Sequence, residues 1–462
     1  MNAIILTAVF GVILMFIGVF AKSKTLPRWV AIGGLSLTLL TAVQEMVAGN
    51  SFFRFNHHEM LRFENFNLLF IVIALAVTLI FFLLSGSEIE KAGPHVGEYF
   101  ALIFFVLCGV SLVATFNTLL MLFIGVEIMS IPLYILTGSD KRNLKSNEAA
   151  LKYFLMGAFS TGIMLMGITF LYGGNSNASF FIDKINIGVG TMPVLMAFGV
   201  LFIMVSLSFK VSAAPFHFWT PDVYDGAPTV FTSFMSTVVK AAGFFAFIRL
   251  FEHSFGSVQD QWQRLVLFIT IATLLVGNIT AVFQQSVKRM LAYSSIAQAG
   301  FMMLAVFALN NKAKEGILLY AAAYSLATIG IFGVLTKMND FTIDGFNGLA
   351  RKQPLMAFCA TVFLLSLTGV PLTAGFQSKF FMLMAAVENG HHIWLVIVAV
   401  LFAAVSAYYY FRVIQAMYFK APHQEEETNE LSSSFKLMLG IIAGLVILIG
   451  IYPELILGWL YH

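Results

Sequence analysis

The chain has 462 residues, 59% of them hydrophobic and only 11% charged, and its mean hydropathy is +0.89. A soluble domain carries about 25% charged residues, so the composition excludes a soluble enzyme and specifies a polytopic membrane protein. The net charge of +3 is spread thinly, without the Lys/Arg runs of a nucleic-acid binder. Cys108 and Cys359 sit in apolar runs as packing residues, with no second ligand at metal or redox spacing. Residues 1–21 lack a basic leader and a cleavage site, and read as a retained first helix.

Apolar runs long enough to cross about 30 Å of hydrocarbon fall at 3–21, 29–48, 66–84, 98–115, 118–137, 149–172, 191–211, 229–252, 264–283, 290–309, 315–338, 354–387, 392–419 and 435–460. The expected fold is therefore all-α, with about fourteen transmembrane helices. The seventh run meets Ser212-Ala213-Ala214-Pro215, and the twelfth contains Thr368-Gly369-Val370-Pro371-Leu372-Thr373-Ala374-Gly375. Proline removes a backbone donor and clashes with the preceding turn, so both helices should be discontinuous at membrane depth.

Runs four to eight and nine to thirteen form two sets of five, with the broken helix fourth in each. An odd number of crossings inverts the second copy. Inverted repeats with paired broken helices are a transporter plan that places the ion site near the breaks. The division expected is residues 1–97 for three N-terminal helices, 98–262 and 263–420 for the two inverted five-helix repeats, and 421–462 for a cytoplasmic loop and the last helix.

Basic residues after odd-numbered runs, among them Lys141, Arg142, Lys145, Lys288, Arg289, Arg351 and Lys352, outnumber those after even-numbered runs by more than two to one. The positive-inside rule puts the odd loops in the cytoplasm and both termini on the periplasmic side. Arg249 and Arg412 can snorkel from near helix ends.

Four lysines remain inside the runs: Lys152, Lys210, Lys240 and Lys379. A cation at the bilayer centre costs roughly 2.5–3.5 kcal/mol on insertion scales, and intramembrane ionisable groups mark ion or proton paths. Glu127 is a lone mid-span acid whose partner must come from another helix. A buried ion pair adds little net stability over apolar packing, which favours a switchable site. Lys210 precedes the first break, and His217 follows seven residues later, where an imidazole can relay a proton. Lys240 lies mid-span among small residues, and Lys379 follows the second break. Lys152 follows Glu148 by four residues, a spacing that equally permits a surface ion pair. His57-His58 and His391-His392 fall in loops as solvated residues, as does Glu425-Glu426-Glu427. No phosphate loop, dinucleotide fingerprint or iron–sulfur spacing is present, so no redox cofactor is expected in this chain.

The stretch from Lys210 to Thr229, KVSAAPFHFWTPDVYDGAPT, resembles the signature of the antiporter-like membrane subunits of respiratory complex I. So do Val287-Lys288-Arg289-Met290-Leu291-Ala292-Tyr293-Ser294-Ser295-Ile296-Ala297-Gln298-Ala299-Gly300, and Gly369-Val370-Pro371 followed by Thr373-Ala374-Gly375-Phe376 and Lys379. Within that family the closest resemblance is to the N-type subunits of bacterial proton-pumping NADH:quinone oxidoreductase. The chain ends soon after the fourteenth run, without the lateral helix of the L type. Its eleventh run has Tyr324 and Ser325 where the L and M types carry a histidine and a lysine.

The resemblance implies a proton relay. Glu127 and Lys210 match a coupled carboxylate–lysine pair, Lys240 a central lysine, and Lys379 a lysine near the exit. His217 falls at a bridging position and Lys152 at an additional lysine. The loss of the histidine and lysine leaves the link from Lys240 to Lys379 to water or to hydroxyls such as Tyr324 and Ser325. The resemblance also implies FMN, iron–sulfur clusters and quinone in partner subunits, and a multi-pass place in the bacterial inner membrane. Neighbouring antiporter-like subunits and the lateral helix of the L subunit would be its partners. The alternatives are a subunit of a multisubunit cation/proton antiporter and a scaffold that only docks its neighbours.

Overall fold

Lipid offers the backbone no hydrogen-bond partners, so each apolar run must satisfy its own amides and carbonyls as helix. The computed structural model describes residues 1–21, 23–53, 56–185, 192–388, 392–421 and 431–461, and these are all-helical with only isolated β-bridges. Helices α1 (Asn2–Phe20), α2 (Leu26–Ala48), α3 (Asn65–Lys91), α4 (Val96–Thr115), α5 (Leu119–Thr137) and α6 (Leu144–Gly174) match the first six runs. The seventh run is α7 (Val194–Lys210), which a break separates from α8 (Trp219–Gly226). The eighth is α9 (Thr229–Phe234), a π-helical turn at Met235–Val239, and α10 (Lys240–Phe255). Then follow α11 (Gln259–Val282), α12 (Val287–Ala308) and α13 (Asn311–Leu335). After the short α14 (Leu349–Lys352) the twelfth run is split into α15 (Pro354–Thr368) and α16 (Ala374–Glu388). The chain closes with α17 (Ile393–Phe419), α18 (Ser433–Ile451) and α19 (Glu454–Leu457).

Eleven helical stretches among the described residues are long and apolar enough to cross a membrane, with Thr229–Val282 counted as one; α7 and α15 are shorter apolar helices. Side-chain caps set several starts. Thr118, Asn143, Ser286, Asn310 and Ser432 each accept from a backbone amide in the first turn of the helix that follows.

The bundle is centred on α13, in which every residue from Glu315 to Leu335 is buried. A helix apolar all round belongs inside other helices. It packs against α15, α16, α3 and α9, while α12 packs against α11 and α8. By contrast, α1 and α17 keep many large apolar side chains exposed, such as Phe16, Phe20, Leu401 and Phe411, as lipid-facing helices do.

Several loop expectations fail. Arg249 does not snorkel; it is buried, donating to Phe116 O and Asn67 Oδ1 at 2.9 Å each. Those oxygens at a helix junction offered it better partners than distant water. Lys288, read as a cytoplasmic loop charge, is buried on α12 and donates to Asp225 O at 2.9 Å and Ala227 O at 2.7 Å. It satisfies carbonyls that the end of α8 leaves free. His57 and His392 are half-buried, the latter edge-on to Phe307 with centroids 5.1 Å apart, whereas His58 is exposed. His391 and the Glu425–Glu427 acidic run lie outside the described residues.

Candidate functional site

The first break is built from a short turn with an unusual backbone. Ser212 adopts φ 62, a left-handed conformation that costs a non-glycine residue roughly 1–3 kcal/mol. The Ala214 amide, freed from the helix, donates to Thr273 Oγ1 on α11 at 2.9 Å. Trp219 closes the turn from the other side, its indole donating to Phe209 O at 3.0 Å. Lys210, the last residue of α7, reaches across to α5 and donates to Ser130 Oγ at 2.8 Å. Ser130 lies three residues from Glu127, one helical turn along the same face. Glu127 is partly exposed, and among the described residues it makes no ion pair with Lys210, whose ammonium is held by Ser130 instead. His217 is buried in the break with Nδ1 unpartnered, as are the hydroxyls of Ser208, Ser212 and Thr220.

Lys240 is 2% exposed and follows directly on the π-helical turn. Such turns shift the register of the residues after them and recur at functional sites. Its ammonium donates to Ser295 O at 2.5 Å and Ser295 Oγ at 3.2 Å, both on α12.

The second break repeats the first in kind. Gly369, at φ 90, ends α15 in a conformation that favours glycine, and Leu372 is left-handed at φ 74. Helix α16 then restarts so close that a Cβ on Gly375 would sit 1.8 Å from Ser366 O. Lys379 turns back onto the end of α15 and donates to Leu367 O at 2.8 Å and Thr368 O at 3.0 Å. Carbonyls at a helix C-terminus carry partial negative charge. The ammonium also lies 4.4 Å from the centroid of Phe301.

Buried polar groups line the way between the two buried lysines, in two bonded sets that meet at the adjacent residues Ser295 and Ser294. Next to Ser295, the Ser294 hydroxyl bonds the Tyr410 hydroxyl. Gln298 Nε2 reaches Tyr410 OH at 3.4 Å and Leu367 O at 2.7 Å, the carbonyl that also holds Lys379. Tyr320 donates to Gln298 Oε1. Tyr324 lies beside Ser295, and Ser325 is buried. Ser294, Ser295 and Gln298 stand in a family motif but were given no role from sequence, and neither were Tyr320 and Tyr410. The available signal was three polar residues spaced one and three apart in the otherwise apolar tenth run, where helical periodicity puts Ser294 and Gln298 on one face.

Lys152 stands apart from this set. Its side chain is 41% exposed and pairs with Glu148 at 2.7 Å and Asp222 at 2.8 Å. Asp222 also meets Arg289 at 3.2 Å, which ties α6, α8 and α12 together at the end of the bundle that holds Lys145 and Asp225.

The family described as NADH:quinone oxidoreductase/Mrp antiporter, TM, matches residues 117–406. The chain is 38% identical to NADH-quinone oxidoreductase subunit N of Cytophaga hutchinsonii, over 99% of each chain. It is 37% identical to subunit N of Trichlorobacter lovleyi, covering 98% of this chain and 94% of the relative. Among solved structures it resembles a chain of respiratory complex I from Thermus thermophilus with bound aureothin, at 30% identity and a TM-score of 0.84, over 99% of this chain and 98% of that one. A chain of the Mrp complex from Dietzia shares the fold at 17% identity and a TM-score of 0.85, over 99% of this chain and 95% of that one. With relatives at this identity matched end to end, the chain belongs to the NADH-quinone oxidoreductase subunit N family.

Proposed function

We propose that the chain is a proton-translocating membrane subunit of a bacterial NADH:quinone oxidoreductase, and that it moves protons through Glu127, Lys210, Lys240 and Lys379. The observation that carries this reading is the buried polar set between the two lysines: Lys240 is held by Ser295, and the adjacent Ser294 opens a bonded group with Tyr410 and Gln298 that reaches the carbonyl beneath Lys379. The ammonium groups of Lys210, which is partly buried, and of the buried Lys240 and Lys379 are held by neutral oxygens: a serine hydroxyl, a serine hydroxyl and carbonyl, and two helix-end carbonyls. Each therefore changes the local charge by a full unit when its proton leaves, and neighbouring sites feel that change strongly in a medium of low dielectric.

The stroke begins at the Glu127 end. A change of charge there draws the Lys210 ammonium from Ser130 towards the carboxylate or releases it. The next site responds because the energy of a proton on Lys240 depends on the charge at Lys210. His217 and the unpartnered hydroxyls at the first break provide polar stations for water between them. From Lys240 the proton passes towards Lys379 by way of these hydroxyls and of water that bridges two gaps, one between Ser295 and Ser294 and one at Leu367 O, where Gln298 and Lys379 both donate. A glutamine amide does not titrate, so Gln298 orients the set while the tyrosine and serine hydroxyls exchange protons along it. Lys152, with Asp222, forms an exposed ion cluster on the inlet side.

The same reading assigns fourteen crossings and two inverted five-helix repeats at 98–262 and 263–420, flanked by 1–97 and 421–462. Both repeats carry a broken helix in fourth place, each with one left-handed non-glycine residue at the break. The subunit would lie in the bacterial inner membrane with both termini periplasmic. Its neighbours would be other antiporter-like subunits and the lateral helix of the L subunit, with FMN, iron–sulfur clusters and quinone in partner chains. The test is to purify the chain with its native partners and reconstitute the assembly in liposomes. NADH-driven proton uptake that needs no sodium supports the reading; transport that requires sodium in place of quinone-linked electron transfer overturns it in favour of an antiporter.

A further inference from the structure

One buried carboxylate has no part in the relay above. Glu315, in the second turn of α13, is 6% exposed. Lys312 Nζ donates to it at 2.8 Å and the Tyr461 hydroxyl donates to its other oxygen. It lies at the end of the bundle that carries both chain termini. There the Met1 ammonium pairs with Glu45, Lys314 pairs with Glu252 at 2.6 Å, and Glu388 and Glu454 flank Lys312.

Helices α13 and α16 run antiparallel, and their contacts fix the register. Asn310 donates to Ala385 O at 2.9 Å, and a Cβ on Gly316 would lie 3.1 Å from Met382 Cγ. The Lys312 ammonium lies 5.2 Å from the centroid of Phe381. Lys379 is three residues before Met382, which is about 4.5 Å of helix rise. Glu315 therefore sits about one turn beyond Lys379, between it and the membrane face. Outside it stands Tyr461, beside the aqueous rim. The bond to Glu315 pushes the Tyr461 hydroxyl up to about 12, so it remains a donor at neutral pH.

We propose that Glu315 is the proton acceptor through which Lys379 discharges to the face carrying both termini, with Lys312 and Tyr461 holding its carboxylate in place. This rests on the relay proposed above and extends it by one residue. In the step, an N–H bond of the Lys379 ammonium breaks and an O–H bond forms on the Glu315 carboxylate, directly or through one water. Lysine and glutamic acid are then both neutral. The acid loses its proton to solvent past Tyr461, and Lys379 is recharged from the Gln298 side. The structure holds Lys379 in its inward position, on Leu367 O and Thr368 O; the four-carbon stem gives it the reach to turn outward.

The test compares Glu315→Gln, Glu315→Asp, Tyr461→Phe and Lys379→Ala in the whole complex, reconstituted in liposomes, reading protons moved per NADH oxidised. Glu315→Gln should show the same loss as Lys379→Ala, and Glu315→Asp should recover most of it, because aspartate keeps the exchangeable proton. A merely structural role would be met by the isosteric glutamine and not by the shorter acid. Full pumping by Glu315→Gln alongside a deficit in Lys379→Ala overturns the outlet and leaves the relay standing. Full pumping by Lys379→Ala overturns the relay itself. Where Glu315→Gln does not assemble, Tyr461→Phe decides: a partial loss supports the outlet, and unaltered pumping contradicts it.

Discussion

Replacing Gly375 with alanine perturbs the second break without touching any titratable group. The added Cβ would lie 1.8 Å from Ser366 O, and real Cβ atoms do not approach closer than 3.0 Å. The backbone at the junction of α15 and α16 must therefore open by about 1.2 Å, and the bond from the Gly375 amide to Ser366 Oγ must stretch with it. Ser366 is followed directly by Leu367 and Thr368, whose carbonyls hold Lys379 and, at Leu367, Gln298. Displacing positioned groups by about 1 Å costs on the order of 10²-fold in a reacting site, whereas the overpacking itself costs about 1–3 kcal/mol of stability. The complex should assemble while transfer through this subunit fails. The assay is NADH-driven proton uptake by proteoliposomes, normalised to electron transfer, with assembly checked on native gels. Gly444→Ala is the control, since nothing lies within 4 Å of its added Cβ. A Gly375→Ala complex that assembles and pumps like the Gly444→Ala complex would refute the role assigned to the break.

Other substitutions probe separate links. Neutralising either end of the first switch, by Glu127→Gln or Lys210→Ala, should depress pumping and quinone-linked NADH oxidation in an assembled complex, read as protons per NADH. Gln298→Leu removes the amide that joins Tyr410, Tyr320 and Leu367 O, so it should cut pumping as Lys379→Ala does, while Gln298→Glu, which keeps an acceptor and adds a titrating proton, should retain more. Lys379→Arg keeps the charge but not the ability to shed a proton at physiological pH, so it should block release in the same liposome assay.

The architecture was legible because it rests on composition and on rules of the bilayer. Every apolar run became helix, and both Pro/Gly interruptions became breaks, since lipid leaves a chain no other solution. The lysines were legible for the same reason: Lys240 and Lys379 stand out against apolar neighbours and proved to be 2% and 5% exposed. Lys152 does not share that burial; its four-residue spacing from Glu148 permitted the ion pair that forms without deciding between it and a relay role. What sequence hid was anything set by contacts between distant helices. Gln298 gains its place from Leu367 O, 69 residues on, and Tyr410 gains its place from Ser294, 116 residues away. Arg249 and Lys288 looked like interfacial charges, and only the assembled bundle supplies the carbonyls that bury them. Glu315 drew no attention in the sequence because its partner Tyr461 lies at the far end of the chain.

The central claim is that a buried ammonium midway through the bundle carries the proton, and Lys240 is that group. Lys240→Met preserves the length and apolar packing of the stem and removes only the charge and its exchangeable proton. The direct measurement is proton uptake per NADH oxidised by the purified, reconstituted complex carrying this change. A complex that assembles but loses the protons handled by this subunit is the predicted result; an assembled Lys240→Met complex with an unaltered proton yield and rate contradicts the account.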